Sequence, residues 1–275
     1  MNNSHSMSKA ISSLWQYHME GVQHYSYGIY YKDMQIENNI DITYSGASMI
    51  KPFILDIITH NIYQGKFKWT TPYTVQSFHK AQGDGLLQYW STPITMTIEQ
   101  LCHMMITISD NTATNALIDF LGGTFEVNAQ LYSLGYLHTH LRSWVGGNDK
   151  DPNVNKYIPS YMLPTQEGIS VVDIKEYRTC IRQLVQHPLC YNMLVQQQDN
   201  RSLSRHMYDY DFAHKTGTAD GLRHDGGIVY LPNGQLEVYC FTDGDERKEH
   251  IDDVACVNMS KAMCDTIYLL IQNNT

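Results

Sequence analysis

The chain has 275 residues, 43% apolar and 17% charged, and its 19 basic against 28 acidic side chains give a net charge of −9 with neutral histidines. That length supports a sizeable core in one large domain or two intertwined ones. The acids are spread along the chain, which excludes the basic face that nucleic acid or an anionic membrane requires.

The N-terminal stretch MNNSHSMSKAISSLWQYHMEG is polar and lacks the apolar core and cleavage site of a secretory signal. As numbered it predicts a cytoplasmic protein, or a secreted one if a leader has been removed. No apolar stretch approaches the roughly 18 residues of a membrane span. The six cysteines (Cys102, Cys180, Cys190, Cys240, Cys256, Cys264) form no C-x-x-C pair and no zinc-like spacing, and read as reduced core thiols.

Residues 7–19 read as an amphipathic helix, followed by two alternating, β-rich stretches over 22–33 and 34–45 that suit paired strands. One helix is expected from Ser48 to about Gln64. A second opens on a capping box from Thr97 to Gln100, and a third follows at NTATNALIDF, stopped by Gly122 and Gly123. Residues 124–168 read as largely irregular, and a helix follows at about 169–187. Strands return in FAHKTG, GGIVYL and QLEVYCFTDG, with a hairpin at Pro232-Asn233-Gly234, and residues 252–272 close the chain as a helix. The expected fold is α+β: an antiparallel sheet built from both chain ends and flanked by helices, with a helical lobe inserted. The expected division is 1–45 plus 205–275 for the sheet lobe and 46–204 for the helical lobe, with a cleft between them.

Ser48 and Lys51 lie three apart at the mouth of an apolar helix. A buried lysine costs free energy unless it is paired or neutral, and a serine hydroxyl is a poor nucleophile until a base takes its proton. One turn of helix puts both side chains on one face, and Pro52 is tolerated in a first turn. Two other serine–lysine pairs at this spacing, Ser6 with Lys9 and Ser77 with Lys80, sit in polar surroundings and read as chance.

Two further tripeptides fall at sensible places. Ser109-Asp110-Asn111 lies in a break between helices, and Lys215-Thr216-Gly217 ends a strand and precedes Thr218, about 60 and then about 105 residues further on. Together with the serine–lysine pair they are a known signature of serine acyl-enzymes. In this order and setting the chain resembles a class A β-lactamase-type serine hydrolase, of the β-lactamase and penicillin-binding protein superfamily, over nearly its whole length. None of the 20 tyrosines begins a Tyr-x-Asn triplet, which disfavours the class C relatives.

The resemblance implies Ser48 as nucleophile, Lys51 as its activator and Ser109 as proton relay to the leaving nitrogen. It implies substrate contacts from Asn111, Lys215, Thr216, Gly217 and Thr218, with the backbone N–H groups of Ser48 and Thr218 as oxyanion hole. No metal and no organic cofactor is implied. The expected partner is a small-molecule or peptide substrate, with no nucleic acid and a monomeric state. Class A enzymes also carry a glutamate on the loop after the second motif, where it orients the deacylating water. Here no glutamate occurs between Glu126 and Glu167, and the loop's acids are Asp149 and Asp151. Acylation of Ser48 with slow deacylation is therefore expected. An esterase or peptidase acting on another substrate, and a penicillin-binding sensor with little turnover, stand as alternatives.

Other residues invite dull readings. Arg223 fits either a substrate carboxylate or a strand edge. His224-Asp225 fits a structural hydrogen bond better than a metal, and His138 and His140 read as exposed. His214 should point away from Lys215 across the sheet, and Met104 and Met105 read as core.

Overall fold

The computed structural model describes residues 2–146, 169–244 and 251–272. Its main sheet joins β1 (His24–Tyr31) and β2 (Met34–Asn38) to β8 (Phe212–Ala219), β9 (Leu222–Leu231) and β10 (Gly234–Asp243). The order is β2-β1-β10-β9-β8 and every pairing is antiparallel, so the two chain ends do share one sheet. Aromatic and β-branched residues favour these strands, and Pro232 and Asn233 make the two-residue turn into β10. Strand β8 forms one edge.

Helices α1 (Asn2–His18) and α8 (Ile251–Gln272) cover one face of the sheet. Ile11, Trp15 and Met19 pack with Met259, Met263 and the strand residues Ile29, Val229 and Val238. The Trp15 indole N–H donates to Thr266 Oγ1 at 2.9 Å, so the polar edge of a buried ring is satisfied. Contrary to the sequence expectation, residues 254–272 are long and apolar enough by composition to cross a membrane. Half of that stretch is buried against the sheet, as in a core helix.

The other helices gather around α2 (Lys51–Tyr63), whose Phe53, Ile54, Leu55 and Ile58 are inaccessible to solvent. Against it lie α3 (Ile98–Thr107), α4 (Asn111–Phe120), α5 (Thr124–Ser133) and α6 (Ile174–Leu184), with α7 (Pro188–Val195) behind α3. Two small sheets complete the fold: β3 (Tyr44–Ser45), β6 (His140–Leu141) and β7 (Ser170–Val172) in one, β4 (Pro72–Val75) and β5 (Ile94–Thr97) in the other.

Three expectations need correction. The helix expected from Ser48 is two pieces, a 3-10 turn over Ala47–Ile50 and then α2. Pro52 has no N–H to bond Ser48 O, and Lys51 N takes that carbonyl in a tighter turn instead. Residues 124–133 are helical rather than irregular. Gly123 starts α5 with φ 92°, and the buried Val127 and Leu131 share a face four apart behind a polar surface. The segment from 169 begins as strand β7, and Asp173 then caps α6 by accepting from Glu176 N at 2.8 Å.

The hairpin β8–β9 depends on Gly227, which faces His214. A Cβ there would sit 2.0 Å from Ala213 O. Gly227→Ala should therefore cost at least about 3 kcal/mol of stability, read from urea unfolding.

Candidate active site

Ser48 sits in the 3-10 turn Ala47–Ile50, whose first residue, Ala47, has φ 43°. Ser109, between α3 and α4, has φ 58°. Left-handed backbone at a non-glycine residue costs of order 1–3 kcal/mol and persists only when the surroundings fix it. Here the fixing groups are visible. Asp110 caps α4 through Ala113 N at 2.8 Å, and its other oxygen accepts Leu86 N at 2.7 Å and Leu87 N at 2.9 Å. Gly85, at φ 101°, lets that loop close on Asp110: a Cβ there would lie 2.3 Å from the carboxyl carbon.

Lys51 is wholly buried. Its Nζ lies 2.6 Å from Ser109 O, 2.8 Å from Asn111 Oδ1 and 2.9 Å from Ser109 Oγ. Burial, and after it the charge of Lys215, holds this amine well below the usual lysine range, against the pull of Asp84 and Asp110. Lys215 is equally buried; its Nζ donates to Thr216 O at 2.8 Å and to Ser109 Oγ at 3.2 Å. Burial pushes its pKa down to about 8, opposed by Asp199, Asp84 and Asp225.

The third member is Ser48, whose Oγ is 3.0 Å from Ser109 Oγ. Among the described residues no hydrogen bond joins Lys51 Nζ to Ser48 Oγ directly. The expected contact between neighbours on one turn is replaced by a bridge through Ser109. The bridge is chemically complete. In a neutral Lys51 the two N–H bonds go to the oxygens of Ser109 and Asn111, neither of which can donate. In the observed geometry, Lys51 Nζ and Lys215 Nζ donate to Ser109 Oγ, which donates to Ser48 Oγ; with Lys51 neutral, its lone pair can take the Ser109 proton once Ser48 supplies its own.

Asn111 was expected to hold substrate. Its Oδ1 takes Lys51 and its Nδ2 donates to Gln82 O at 3.0 Å, so both ends of this buried amide are used inside the protein. Gly217 is a close-approach residue: a Cβ would meet Met49 Cγ at 2.8 Å and Gly46 O at 3.2 Å. Its absence lets edge strand β8 lie against the 47–50 turn. Thr216 and Thr218 line an open cleft of about 280 Å³ with Ser48 and Ser109.

Sequence reasoning missed the three charged residues that line that cleft: Asp84, Asp199 and Arg201. Arg201 Nε lies 2.8 Å from Asp199 Oδ1. Burial raises the Asp199 carboxyl, but Arg201, and after it Lys215 and Thr216, more than reverse this and leave it below its usual range. Arg223, the cation favoured by sequence proximity, instead donates to Ala219 O at 2.9 Å and Leu222 O at 2.6 Å in the β8–β9 turn.

The remaining candidates are structural. His224 accepts Thr242 N at 3.2 Å and faces Ser45 O at 2.8 Å, and burial lowers its pKa to about 4. His214 lies 2.7 Å from Asp225 Oδ1, and Asp225 Oδ2 accepts Leu203 N at 2.9 Å. Half-exposed His138 and the carboxylates of Asp173 and Glu176 come within 4.8 Å of one another. Those carboxylates already accept the N–H groups of Leu137, His138, Thr139 and Glu176, so the cluster reads as helix capping. Lys80 binds Trp90 O at 2.7 Å, away from Ser48. The six cysteines are free thiols and Cys264 alone is partly exposed.

In the described part of the loop after the second motif, Asn115 grips Val145 by both backbone groups, Nδ2 to O at 3.0 Å and Oδ1 from N at 2.9 Å. Ser143, Trp144, Val145 and Gly146 bring no carboxylate. Asp149, Asp151 and Glu167 lie outside the described residues.

A model of the beta-lactamase enzyme family matches residues 7–267. The chain belongs to that family. Over 82 residues it is 38% identical to beta-lactamase AST-1 of Nocardia asteroides, covering 27% of this chain and 26% of that one. Matches to curated beta-lactamases span 16–55% of those relatives' own lengths. A solved beta-lactamase from Sphaerobacter thermophilus superposes with TM-score 0.74 at 24% identity, over 94% of this chain and 95% of the other. A variant of PBP-A, solved as an acyl-enzyme with penicillin G, gives TM-score 0.74 at 21% identity over 96% and 97%. The α+β fold is thus the fold of class A beta-lactamases.

Because Asp110 joins the α4 cap to the loop at Leu86 and Leu87, Asp110→Ala should cost about 2–4 kcal/mol in chemical denaturation. It should also slow any reaction at Ser48, since Ser109 and Asn111 flank it.

Proposed function

We propose that the protein is a serine acyl-enzyme of the β-lactamase type that attacks a β-lactam or related amide through Ser48 and deacylates slowly. The observation that carries this reading is the chain Ser48 Oγ, Ser109 Oγ, Lys51 Nζ, closed inside the protein by two lysines whose charge is disfavoured by burial.

In the forward step the Ser48 oxygen bonds to the carbonyl carbon. Its proton passes to Ser109 Oγ, whose own proton moves to the Lys51 lone pair. The N–H groups of Ser48 and Thr218 receive the developing oxyanion; losing one such donor typically costs about 2.7–4 kcal/mol. The C–N bond then breaks, and the proton returns through Ser109 to the leaving nitrogen. Thr216, Thr218 and Arg201 line the part of the cleft that suits a substrate carboxylate, with the Lys215 amine buried behind Thr216. Water attack on the ester needs a base. The sequence has no glutamate between Glu126 and Glu167, where class A enzymes carry that base, which supports slow release.

Intact-mass measurement after mixing with penicillin G should find one adduct of the whole antibiotic mass, because the opened ring stays tethered. The adduct should persist for many minutes and be missing in Ser48→Ala. Fast multiple turnover of nitrocefin without a trapped species would overturn the slow step. An adduct on Ser48→Ala would overturn the nucleophile.

The acylation rate should also depend on pH in two directions. It rises as Lys51 loses its proton, through a pKa far below that of a free lysine, because only the neutral amine accepts one. It falls again above about pH 8, where Lys215 loses the charge that attracts the substrate carboxylate. Stopped-flow acylation over the pH range reads both limbs.

A further inference from the structure

The cleft contains two carboxylates with different fates. Asp199 is bound by Arg201 on both oxygens, at 2.8 and 2.9 Å. Asp84 lines the same cleft beside Ser48 and Ser109. Among the described residues, its carboxylate accepts no hydrogen bond and forms no ion pair. Its charge is nevertheless felt by Lys51, Lys215 and Arg201.

Nor is Asp84 carried on a loose loop. Its own carbonyl accepts Asn111 N at 3.1 Å. Gly83 and Gly85 flank it at φ 98° and 101°, and a Cβ on Gly83 would lie 2.9 Å from Asn111 Nδ2. The next two N–H groups, of Leu86 and Leu87, bind Asp110. The backbone on both sides of the carboxylate is therefore tied to the second motif, which fixes its place relative to Ser109. Such a group, preorganised, charged and without a close partner, is what selects a ligand of opposite charge. The cleft is thus mixed in charge, with Arg201 and the hydroxyls of Thr216 and Thr218 in one part, Lys215 buried behind them, and the unpaired Asp84 on the loop before α4.

We propose that Asp84 is a specificity residue that receives an ammonium group on the substrate, so that the preferred substrates are zwitterionic amides bearing a free amine as well as a carboxylate. This rests on the acyl-enzyme reading above and names the substrate class for that same site. A role in merely balancing the two lysines predicts a different outcome, because it would affect all substrates alike.

Ampicillin and penicillin G share one bicyclic nucleus and differ by a single amine on the side chain. Their second-order acylation rates should be compared at a pH where that amine is protonated. In Asp84→Asn the ratio of ampicillin to penicillin G should fall about fivefold, the size expected for one partly exposed charge-assisted contact. Asp84→Glu should recover part of the ratio, and added salt should shrink it in the wild type. Equal losses for both penicillins, or an unchanged ratio, would overturn the proposal while leaving the acyl-enzyme intact. No adduct on the wild-type protein with either compound would defeat the acyl-enzyme reading itself, and this inference with it.

Discussion

An amine with no access to water organises this molecule. Lys51 begins a helix whose first turn continues as Pro52, Phe53, Ile54 and Leu55, and burying it there is tolerable only with acceptors around it. Two of its three partners come from Ser109 and one from Asn111. The Ser109 carbonyl turns toward the amine in a segment whose backbone lies in the left-handed region, and Asp110 braces that segment from the far side. The second motif is thus one solution to one problem. Its serine and asparagine accept from the amine, and its aspartate braces the segment.

Much of this was legible in the sequence because it is local. A capping box, a hairpin turn and three tripeptides are read over a few residues, and the capping box at Thr97 and Gln100 appears as expected. The shared sheet was legible because both chain ends alternate. What was hidden depends on distant segments. Arg201 enters the cleft because Gln198 N is pinned to Thr107 O, a tether between residues 91 apart that no spacing rule anticipates. Arg223 drew attention by lying close to the third motif, yet chain proximity placed it in a tight turn with backbone carbonyls nearer than any substrate. Helix α5 was masked by its own composition, since its few buried apolar residues are diluted by Asn, Gln, Ser and Thr.

The roles of Asn111 and Gly217 show a different gap. Sequence identifies which residues belong to a site but not which way their polar ends are committed. Asn111 spends both ends inside the protein, so it acts on the lysine before it can act on a ligand. Gly217 contributes through what it lacks, allowing β8 and the turn that carries Ser48 to touch through Met49 and Gly46. That contact sets the distance between Ser48 and strand β8.

The clasp between Asn115 and Val145 is made entirely to main-chain atoms. Such a fastening is blind to the side chain it carries. The scaffold fixes where residue 145 stands without dictating what it is, so the side chain presented there can drift over generations while the architecture around it stays unchanged.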